Sequence, residues 1–216
     1  RIEDSRVIGT RNLVKALDQT SGPTVLLSSS AIGYYGDQGD SELAEDHPSG
    51  RDFLADISNA WETEANNATT HGIRVVVIRT GIVLAHGGGA LASMLLPFKM
   101  GVGGPMGSGK QWWSWIHRDD LVAICLRAIN DNEMVGVYNG TAPHPMRQGD
   151  FSTVLGKVLH RPAFLPTPAF ALKLALGGFS TELLTSKRVM PKRLQEAGFE
   201  FQYPELETAL RQALGR

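Results

Sequence analysis

The sequence predicts an α/β fold: a parallel β-sheet flanked by helices, with a smaller, mostly helical lobe at the carboxyl end. Residues 24–79 read as a short apolar strand, an amphipathic helix and a second apolar strand, the order that builds neighbouring parallel strands. After residue 140 almost every apolar pattern has helical spacing. With 216 residues, of which 42% are hydrophobic, the chain can bury a substantial core.

The amino-terminal half should alternate helices and strands. Apolar spacing predicts a helix over residues 3–19 that stops at the breaker formed by residues 21–23. Strands are expected at 24–28 and 73–78, because short apolar and β-branched runs are typical of strands covered on both faces. Residues 53–70 between them predict a crossover helix.

The rest of the chain should be loop-rich at first and then helical. A glycine-rich stretch contains one short helix at about 90–99, and a helix at 119–130 and a strand at 135–139 follow it. Further helices are expected at 148–159, 168–176, 181–189, 191–197 and 204–214. We therefore expect a first domain over 1–139, with a flap at 86–116, and a small helical domain over 140–216.

Composition argues against several function classes. The 21 Lys and Arg residues against 22 Asp and Glu give a formal net charge of -1, so bulk electrostatics favour neither nucleic acid nor an anionic membrane surface. Cys125 is the single cysteine, and no apolar run reaches the roughly 20 residues of a membrane span. No second histidine lies at a ligand spacing from His117, so no metal is predicted. We expect a cytoplasmic protein without a nucleic-acid or membrane partner.

Hydroxyl side chains mark the end of the first predicted strand. Ser28, Ser29 and Ser30 stand there, and Tyr34 and Tyr35 follow shortly after. Open α/β sheets bind their ligands at the carboxyl ends of strands, and hydroxyls there can hydrogen-bond a carbonyl or a sugar. A serine-rich loop that caps its own backbone is an equal alternative from composition alone.

Residues 104–110 satisfy the G-x-x-x-x-G-K pattern of a phosphate-binding loop. Gln111 stands where Ser or Thr should hold magnesium, and no buried strand leads into the segment, which argues against a nucleotide triphosphatase. A flexible flap over 101–111, with Lys110 and Gln111 at its tip, better suits closure over a substrate, including an anionic one.

Two further clusters have simpler interpretations. Trp112, Trp113 and Trp115 could stack on a planar ligand, although such clusters more often pack in the core. The basic residues at 187–188 and 192–193 are most simply a solvated helix face, with an anion site as the alternative.

Several motifs, in their order and spacing, resemble the extended short-chain dehydrogenase/reductase superfamily, and within it the atypical, epimerase-like family. They are the three serines, residues 34–37, 79–84, 103–109 and 115–120. Residues 191–199 resemble the small carboxyl-terminal domain of that family. The resemblance covers essentially the whole chain. It implies a Rossmann-like sheet that binds NADP or NAD, with NADP favoured.

The resemblance also implies site residues. Ser30 matches the catalytic serine of the superfamily, and Tyr34 or Tyr35 is the nearest candidate acid. The residues expected to bind the cofactor are Ser28, Ser29, Arg79, Thr80, Gly81 and Ile82. Hydride-transferring members carry on the crossover helix a tyrosine with a lysine four residues later, and residues 53–61 contain neither. Members also begin with a glycine-rich segment that cradles the pyrophosphate, so we expect these residues to represent the later three quarters of such a protein.

Two functions fit this sequence. The first is an NAD(P)-binding epimerase or oxidoreductase-like enzyme that acts on a small molecule or a sugar nucleotide. The second is a catalytically inactive dinucleotide-binding sensor or scaffold, which the missing tyrosine and lysine favour. Substrate and oligomeric state stay open.

Overall fold

Three parallel strands organise the chain, of which the computed structural model describes residues 2–17 and 24–216, apart from the side chains of residues 175, 176 and 179. The strands are β1 (Val25–Ala31), β3 (Arg74–Thr80) and β7 (Gly136–Gly140), in the spatial order β1-β3-β7. Ser30 lies opposite Arg79 in the β1–β3 register. The carboxyl ends of all three strands therefore meet at one edge.

Side chains on successive strand residues point to opposite faces, and the two faces have separate cores. On one face, Val75 and Val77 pack with α1 (Gly9–Leu17) and with α2 (Phe53–Asn66). On the other face, Val76 and Ile78 pack against α4 (Arg118–Asn130). The alternation decides which face each polar residue of β1 and β3 reaches.

Turns and a capping side chain mark the ends of α1 and α2. A π-helical turn, Asp4–Ile8, precedes α1. The carboxylate of Asp52 accepts hydrogen bonds from Leu54 N at 3.0 Å and Ala55 N at 2.9 Å, capping α2. A 3-10 turn, Asn67–His71, follows that helix, and Gly72 ends it in the left-handed conformation.

Short strand pairs join the sheet to the remaining elements. β4 (Ile82–Leu84) pairs in parallel with β6 (Trp115–His117), and β5 (Trp112–Trp113) pairs antiparallel with β8 (Met146–Arg147). Helix α3 (Gly89–Lys99) lies between β4 and β5 in the chain.

The carboxyl-terminal region is mostly helical. Its elements are α5 (Gln148–Leu159), α6 (Ala169–Leu176), a 3-10 turn (Gly177–Phe179), α7 (Ser180–Leu184), β9 (Arg188–Val189), α8 (Lys192–Glu196) and α9 (Leu206–Ala213). β9 pairs in parallel with β2 (Glu42–Leu43), and a 3-10 turn (Ile32–Tyr35) connects β1 to the segment that carries β2. One apolar cluster includes Leu91 and Trp115 together with Phe151 and Leu210, so the core crosses residue 140. The domain boundary at 139–140 stays a prediction.

The structure changes two of the expected elements, and part of a third cannot be compared. The helix expected at 181–189 is wrong in its second half: α7 ends at Leu184, because the chain then extends, Lys187 N donates to Trp112 O, and β9 pairs with β2. Strand β1 reaches Ala31, so the serines lie inside the strand and not after it. The expected stop of the first helix at residues 21–23 lies outside the described residues.

None of the helices in the described ranges combines the length and the apolar character that crossing a membrane requires.

Candidate functional site

A cleft of about 360 Å³ opens at the carboxyl ends of β1 and β3. On the sheet side it is lined by residues 31–33 and 80–82, which directly continue the two strands. Helix α2 contributes Leu54 and Ser58 to the same cleft. This edge is where open α/β sheets bind ligands.

The opposite wall comes from β5 and from the segment around α7. Trp112, Trp113 and Lys187 all line the cleft. The indole N–H of Trp113 donates to Leu183 O at 3.1 Å and holds the two parts of this wall together. Trp113 is nearly fully buried and packs edge-on against Phe151, as expected for a core residue.

The two walls approach closely at Gly81. A Cβ on Gly81 would lie 2.6 Å from the carbonyl oxygen of Ser114. The backbone N–H of Ile82 donates to the same oxygen at 2.9 Å. Only glycine permits this contact between the end of β3 and the start of β6, so Gly81 sets the width of the cleft at this point.

Behind the sheet edge lies a buried polar network centred on Glu62 of α2. Ser30 Oγ donates to Glu62 Oε1 at 2.6 Å. The guanidinium of Arg79 donates to both carboxylate oxygens, through Nε at 2.9 Å and Nη2 at 2.8 Å. Ser30 and Arg79 reach the same helix because they lie opposite each other in the β1–β3 register.

The two adjacent tyrosines extend this network. Tyr35 is fully buried, donates to Asn139 Oδ1 at 2.7 Å and accepts from Arg79 Nη1 at 3.0 Å. Burial raises the pKa of the Tyr35 phenol to about 12. The guanidinium carbon of Arg79 lies 3.3 Å from the ring centroid of Tyr34, a cation–π contact. Every polar group at the centre of the network has an interior partner.

The sequence-predicted residues thus divide between the cleft and the interior. Thr80, Gly81 and Ile82 line the cleft. The residues that do not line it are Ser28, Ser29, Ser30, Tyr34, Tyr35 and Arg79. Their roles toward a cofactor or a proton stay predictions, and the interior contacts of Ser30, Tyr35 and Arg79 argue against such roles. A strand that ends at Ala31 turns Ser28 and Ser30 to the α2 face and leaves Ser29 exposed.

The segment 101–111 makes close contacts with neighbouring elements, and its role as a flap stays a prediction. A Cβ on Gly104 would lie 2.3 Å from Leu165 O, so the backbone contacts another loop directly. Gln111, expected at the tip, is buried, and its Nε2 donates to Met106 O and to Leu183 O, both at 3.0 Å. Lys110 is exposed at a separate, open depression of about 660 Å³. Its substrate role stays a prediction.

Sequence reasoning missed the cleft residues Lys187 and Glu182. Lys187 was expected on a solvated helix face, yet it is only 4% exposed. Its Nζ donates to Glu182 Oε2 at 2.7 Å and to Thr185 Oγ1 at 2.5 Å. In the sequence, the pairing of Glu182 with Lys187 has one weak signal. The four residues between them, 183–186, are all uncharged.

The histidine considered as a metal ligand has structural partners. His117 Nε2 lies 2.7 Å from Gln212 Oε1, and its Nδ1 accepts the backbone N–H of Asp119 at 3.2 Å, capping α4. Within the described ranges, no group of three or more His, Cys, Asp or Glu side chains could hold a metal ion.

A parallel sheet with a ligand-sized cleft at its carboxyl edge defines a Rossmann-like protein, which confirms the expected fold class. The chain belongs to the NAD dependent epimerase/dehydratase family, whose model matches residues 1–139. Residues 167–213 match a domain of unknown function, DUF1731. The family resemblance found in the sequence is thereby confirmed.

Relatives of known name share most of the chain. An Arabidopsis thaliana protein named "Epimerase family protein SDR39U1 homolog, chloroplastic" is 46% identical over 213 residues, which are 97% of this chain and 61% of that protein. The mouse "Epimerase family protein SDR39U1" is 38% identical over 210 residues, 96% of this chain and 71% of the relative. The chain thus spans less than two thirds of the Arabidopsis protein.

Solved structures agree with this assignment. The human epimerase family protein SDR39U1, solved with NADPH, has a TM-score of 0.92 at 34% identity, covering 99% of this chain and 73% of that one. A nucleoside-diphosphate sugar epimerase from Corynebacterium glutamicum has a TM-score of 0.83 at 34% identity, covering 99% of this chain and 42% of that one. A UDP-galactose 4-epimerase shares the fold, with a TM-score of 0.72 at 17% identity; the match covers 98% of this chain and 69% of that one.

Proposed function

We propose that the protein binds NADP(H), or less favourably NAD(H), at the carboxyl edge of its sheet. In this proposal it acts as an oxidoreductase or epimerase-like enzyme on a small molecule or sugar nucleotide in the adjoining cleft. The observation that supports this most is the cleft itself, bounded by residues 31–33 and 80–82 at the ends of two neighbouring parallel strands. A cytoplasmic location belongs to the same proposal.

The residues at this edge fit a nicotinamide cofactor. Ala31 is a small residue open to the cleft, Gly33 and Gly81 lie directly against Glu182 and Ser114, and Ile82 offers a flat ring an apolar surface. When bound, the nicotinamide would supply or accept a hydride next to the substrate. These four residues would orient the ring, and the wall formed by Trp112 and Trp113 would exclude water from it.

Two relatives support the nature of the ligands. The human SDR39U1 structure was solved with NADPH, which favours NADP(H) for this chain. The Corynebacterium glutamicum structure is described as a nucleoside-diphosphate sugar epimerase, which keeps a sugar nucleotide among the candidate substrates.

One observation favours the second candidate function, a dinucleotide-binding sensor or scaffold without turnover. Leu54 and Ser58 stand four residues apart on α2, and both line the cleft. Hydride-transferring members of the resembled superfamily carry a tyrosine and a lysine with this spacing on the crossover helix. Neither a phenol nor an ammonium therefore reaches the cleft from α2.

Cofactor binding is tested by titrating the full-length protein with NADPH and with NADH while tryptophan fluorescence is followed. We expect saturable changes with both and tighter binding of NADPH. Ala31→Phe places a ring at the cleft edge and should weaken binding roughly tenfold or more, the effect of overfilling a site. Ala123→Phe, on the exposed surface of α4, is the matched control. The absence of a saturable change with either dinucleotide would overturn the proposal.

Turnover separates the enzyme from the sensor. NADPH oxidation is followed spectrophotometrically with a panel of carbonyl compounds, and NAD(P)-dependent conversion is followed with sugar nucleotides. The enzyme predicts consumption of at least one substrate, slowed roughly tenfold at subsaturating NADPH in the Ala31→Phe variant and retained in Ala123→Phe. Tight cofactor binding without consumption across the panel would favour the sensor.

A further inference from the structure

The carboxyl-terminal region brings a buried cation into the cleft. Lys187 lies between α7 and β9, lines the cleft and has a side chain only 5% exposed. An ammonium group has three N–H donors. Two of them bind Glu182 Oε2 at 2.7 Å and Thr185 Oγ1 at 2.5 Å. Among the described residues the third donor has no acceptor.

The glutamate beside this lysine also has an oxygen that accepts no hydrogen bond from the described residues. Glu182 uses Oε2 for Lys187, and its Oε1 has no donor within the described part of the chain. A methyl group placed on Gly33 would lie 3.2 Å from Glu182 Oε1 and 3.9 Å from Ser58 Oγ. Glu182 Oε1 and Ser58 Oγ therefore both lie close to Gly33 at the sheet edge. A ligand oxygen that both accepts and donates a hydrogen bond matches this set.

The charge of the cleft restricts what it can hold. Lys187 and Glu182 are the two charged side chains among the described residues that line it, and together they are neutral. The remaining lining is mostly apolar, including Ile82, Met94 and Trp113. Because Glu182 already balances Lys187, a diphosphate placed here would be desolvated with no net counter-charge from the described lining residues, which is unfavourable. An uncharged molecule with an apolar body avoids that penalty.

We propose that Lys187 and Glu182 form the binding site for the carbonyl or hydroxyl oxygen of the substrate, and that this substrate is a small, uncharged and mainly apolar molecule. Lys187 donates its open N–H to the oxygen in either form, and Glu182 accepts the proton of the hydroxyl form. The site lies opposite residues 31–33 and 80–82, so this inference rests on the proposed cofactor site. It narrows the substrate to uncharged carbonyl and hydroxy compounds.

The test uses binding rather than turnover. Cyclohexanone and cyclohexanol serve as uncharged probes, cyclohexanecarboxylate as the anionic probe and uridine diphosphate as the diphosphate probe. Each is titrated into 15N-labelled full-length protein with NADPH, and the indole N–H signals of Trp112 and Trp113 report occupancy of the cleft. We expect cyclohexanone and cyclohexanol to shift these signals and the two anions to bind more weakly.

Three variants assign the effect to the proposed residues. Lys187→Met combined with Glu182→Gln removes both charges, leaves no buried ion unpaired and should weaken both uncharged probes about tenfold, the loss of a hydrogen bond to a charged group. Lys192→Met makes the same lysine change on the exposed surface and should leave affinities unchanged. Glu182→Gln alone should lower the affinity of cyclohexanol relative to cyclohexanone and raise that of cyclohexanecarboxylate, because the cleft becomes cationic.

The outcomes separate this inference from the proposed function. NADPH affinity is measured in parallel for every variant. Unchanged probe affinity in the doubly substituted protein, with NADPH still bound, would overturn the oxygen site and leave the cofactor site standing. Tighter binding of uridine diphosphate than of cyclohexanone to the unsubstituted protein would overturn the uncharged substrate class. Failure of the unsubstituted protein to bind NADPH would instead remove the proposed function.

Discussion

Two ion pairs lie on either side of the sheet edge: Arg79 and Glu62 are both buried, whereas Lys187 is buried and its partner Glu182 is partly exposed. Arg79 and Glu62 are 2.8 Å apart and Lys187 and Glu182 are 2.7 Å apart, so distance alone does not distinguish them. Around the first pair, Ser30, the phenol of Tyr35 and the backbone carbonyl of Glu45 give each polar group an interior partner away from the cleft, and we call this arrangement the saturated network. Around the second pair, one lysine N–H and one carboxylate oxygen stay open toward a cleft.

This difference separates a structural network from a binding site. A buried polar group without a partner is unfavourable, so a saturated network stabilises the fold and gains nothing from a ligand. An open donor beside an open acceptor is satisfied when a ligand arrives. Motif resemblance points to Ser30 and Tyr35, whereas hydrogen-bond saturation points to Lys187 and Glu182.

The largest expected effect is the loss of the carboxylate at the centre of the saturated network. Glu62→Ala should lower the free energy of unfolding by about 3–5 kcal/mol, because the buried guanidinium of Arg79 loses its partner. Urea denaturation measures the change. Glu64→Ala, two residues later on α2, breaks a surface pair with Arg11 and should change stability by less than about 1 kcal/mol. Equal effects of the two substitutions would contradict the saturated network.

Alkaline pH should weaken the same network through Tyr35. The folded protein holds the phenol proton up to a pKa of about 12, whereas the phenol of an unfolded chain ionises near pH ~10. The raised pKa therefore contributes stability that is present below pH ~10 and lost as the pH rises toward the folded value. Between about pH 9 and about pH 11.5 the loss should be about 2 kcal/mol, measured by urea denaturation. Tyr35→Phe should lack this component, and an identical pH dependence in that variant would show that Tyr35 is not its source.

Ser30→Ala distinguishes the interior role of this serine from the catalytic role that the sequence suggests. We expect the free energy of unfolding to fall by about 1 kcal/mol, one buried hydrogen bond to Glu62. NADPH affinity and any turnover should change less than about twofold, since the hydroxyl does not line the cleft. Ser29→Ala, at the exposed neighbouring position, is the control. Turnover abolished in a stably folded Ser30→Ala protein would restore the catalytic assignment.

The smallest effect is expected at the cleft pair. Thr185→Val removes one of the two partners of Lys187 while Glu182 keeps the ammonium paired. Thermal unfolding should show a loss of about 0.5–1 kcal/mol, much less than for Glu62→Ala. Thr181→Val, exposed on α7, makes the same change outside the cleft. A loss as large as that of Glu62→Ala would mean that the cleft pair is a structural network as well.

Much of the fold follows from patterns that act locally. The β-branched run at 73–78 and the apolar stripe of 53–70 predict β3 and α2 because strands and helices repeat their buried positions every 2 and 3.6 residues. The end of the helix expected at 181–189 was wrong, since pairing of β9 with β2, about 145 residues earlier in the chain, overrides helical spacing. The close contacts of the segment 101–111 were unforeseen for a similar reason: glycine reads as flexibility in sequence, yet Gly104 allows a close backbone contact.

By itself the sequence determined the α/β class and the family resemblance, because these depend on short-range patterns and on ordered motifs. Only the tertiary structure decided that Ser30 faces Glu62 and that Lys187 enters the cleft. The partner of a strand side chain depends on which element packs on its face of the sheet, and the burial of a lysine depends on which distant segments cover it. Both are properties of long-range packing, which no local pattern of residues specifies.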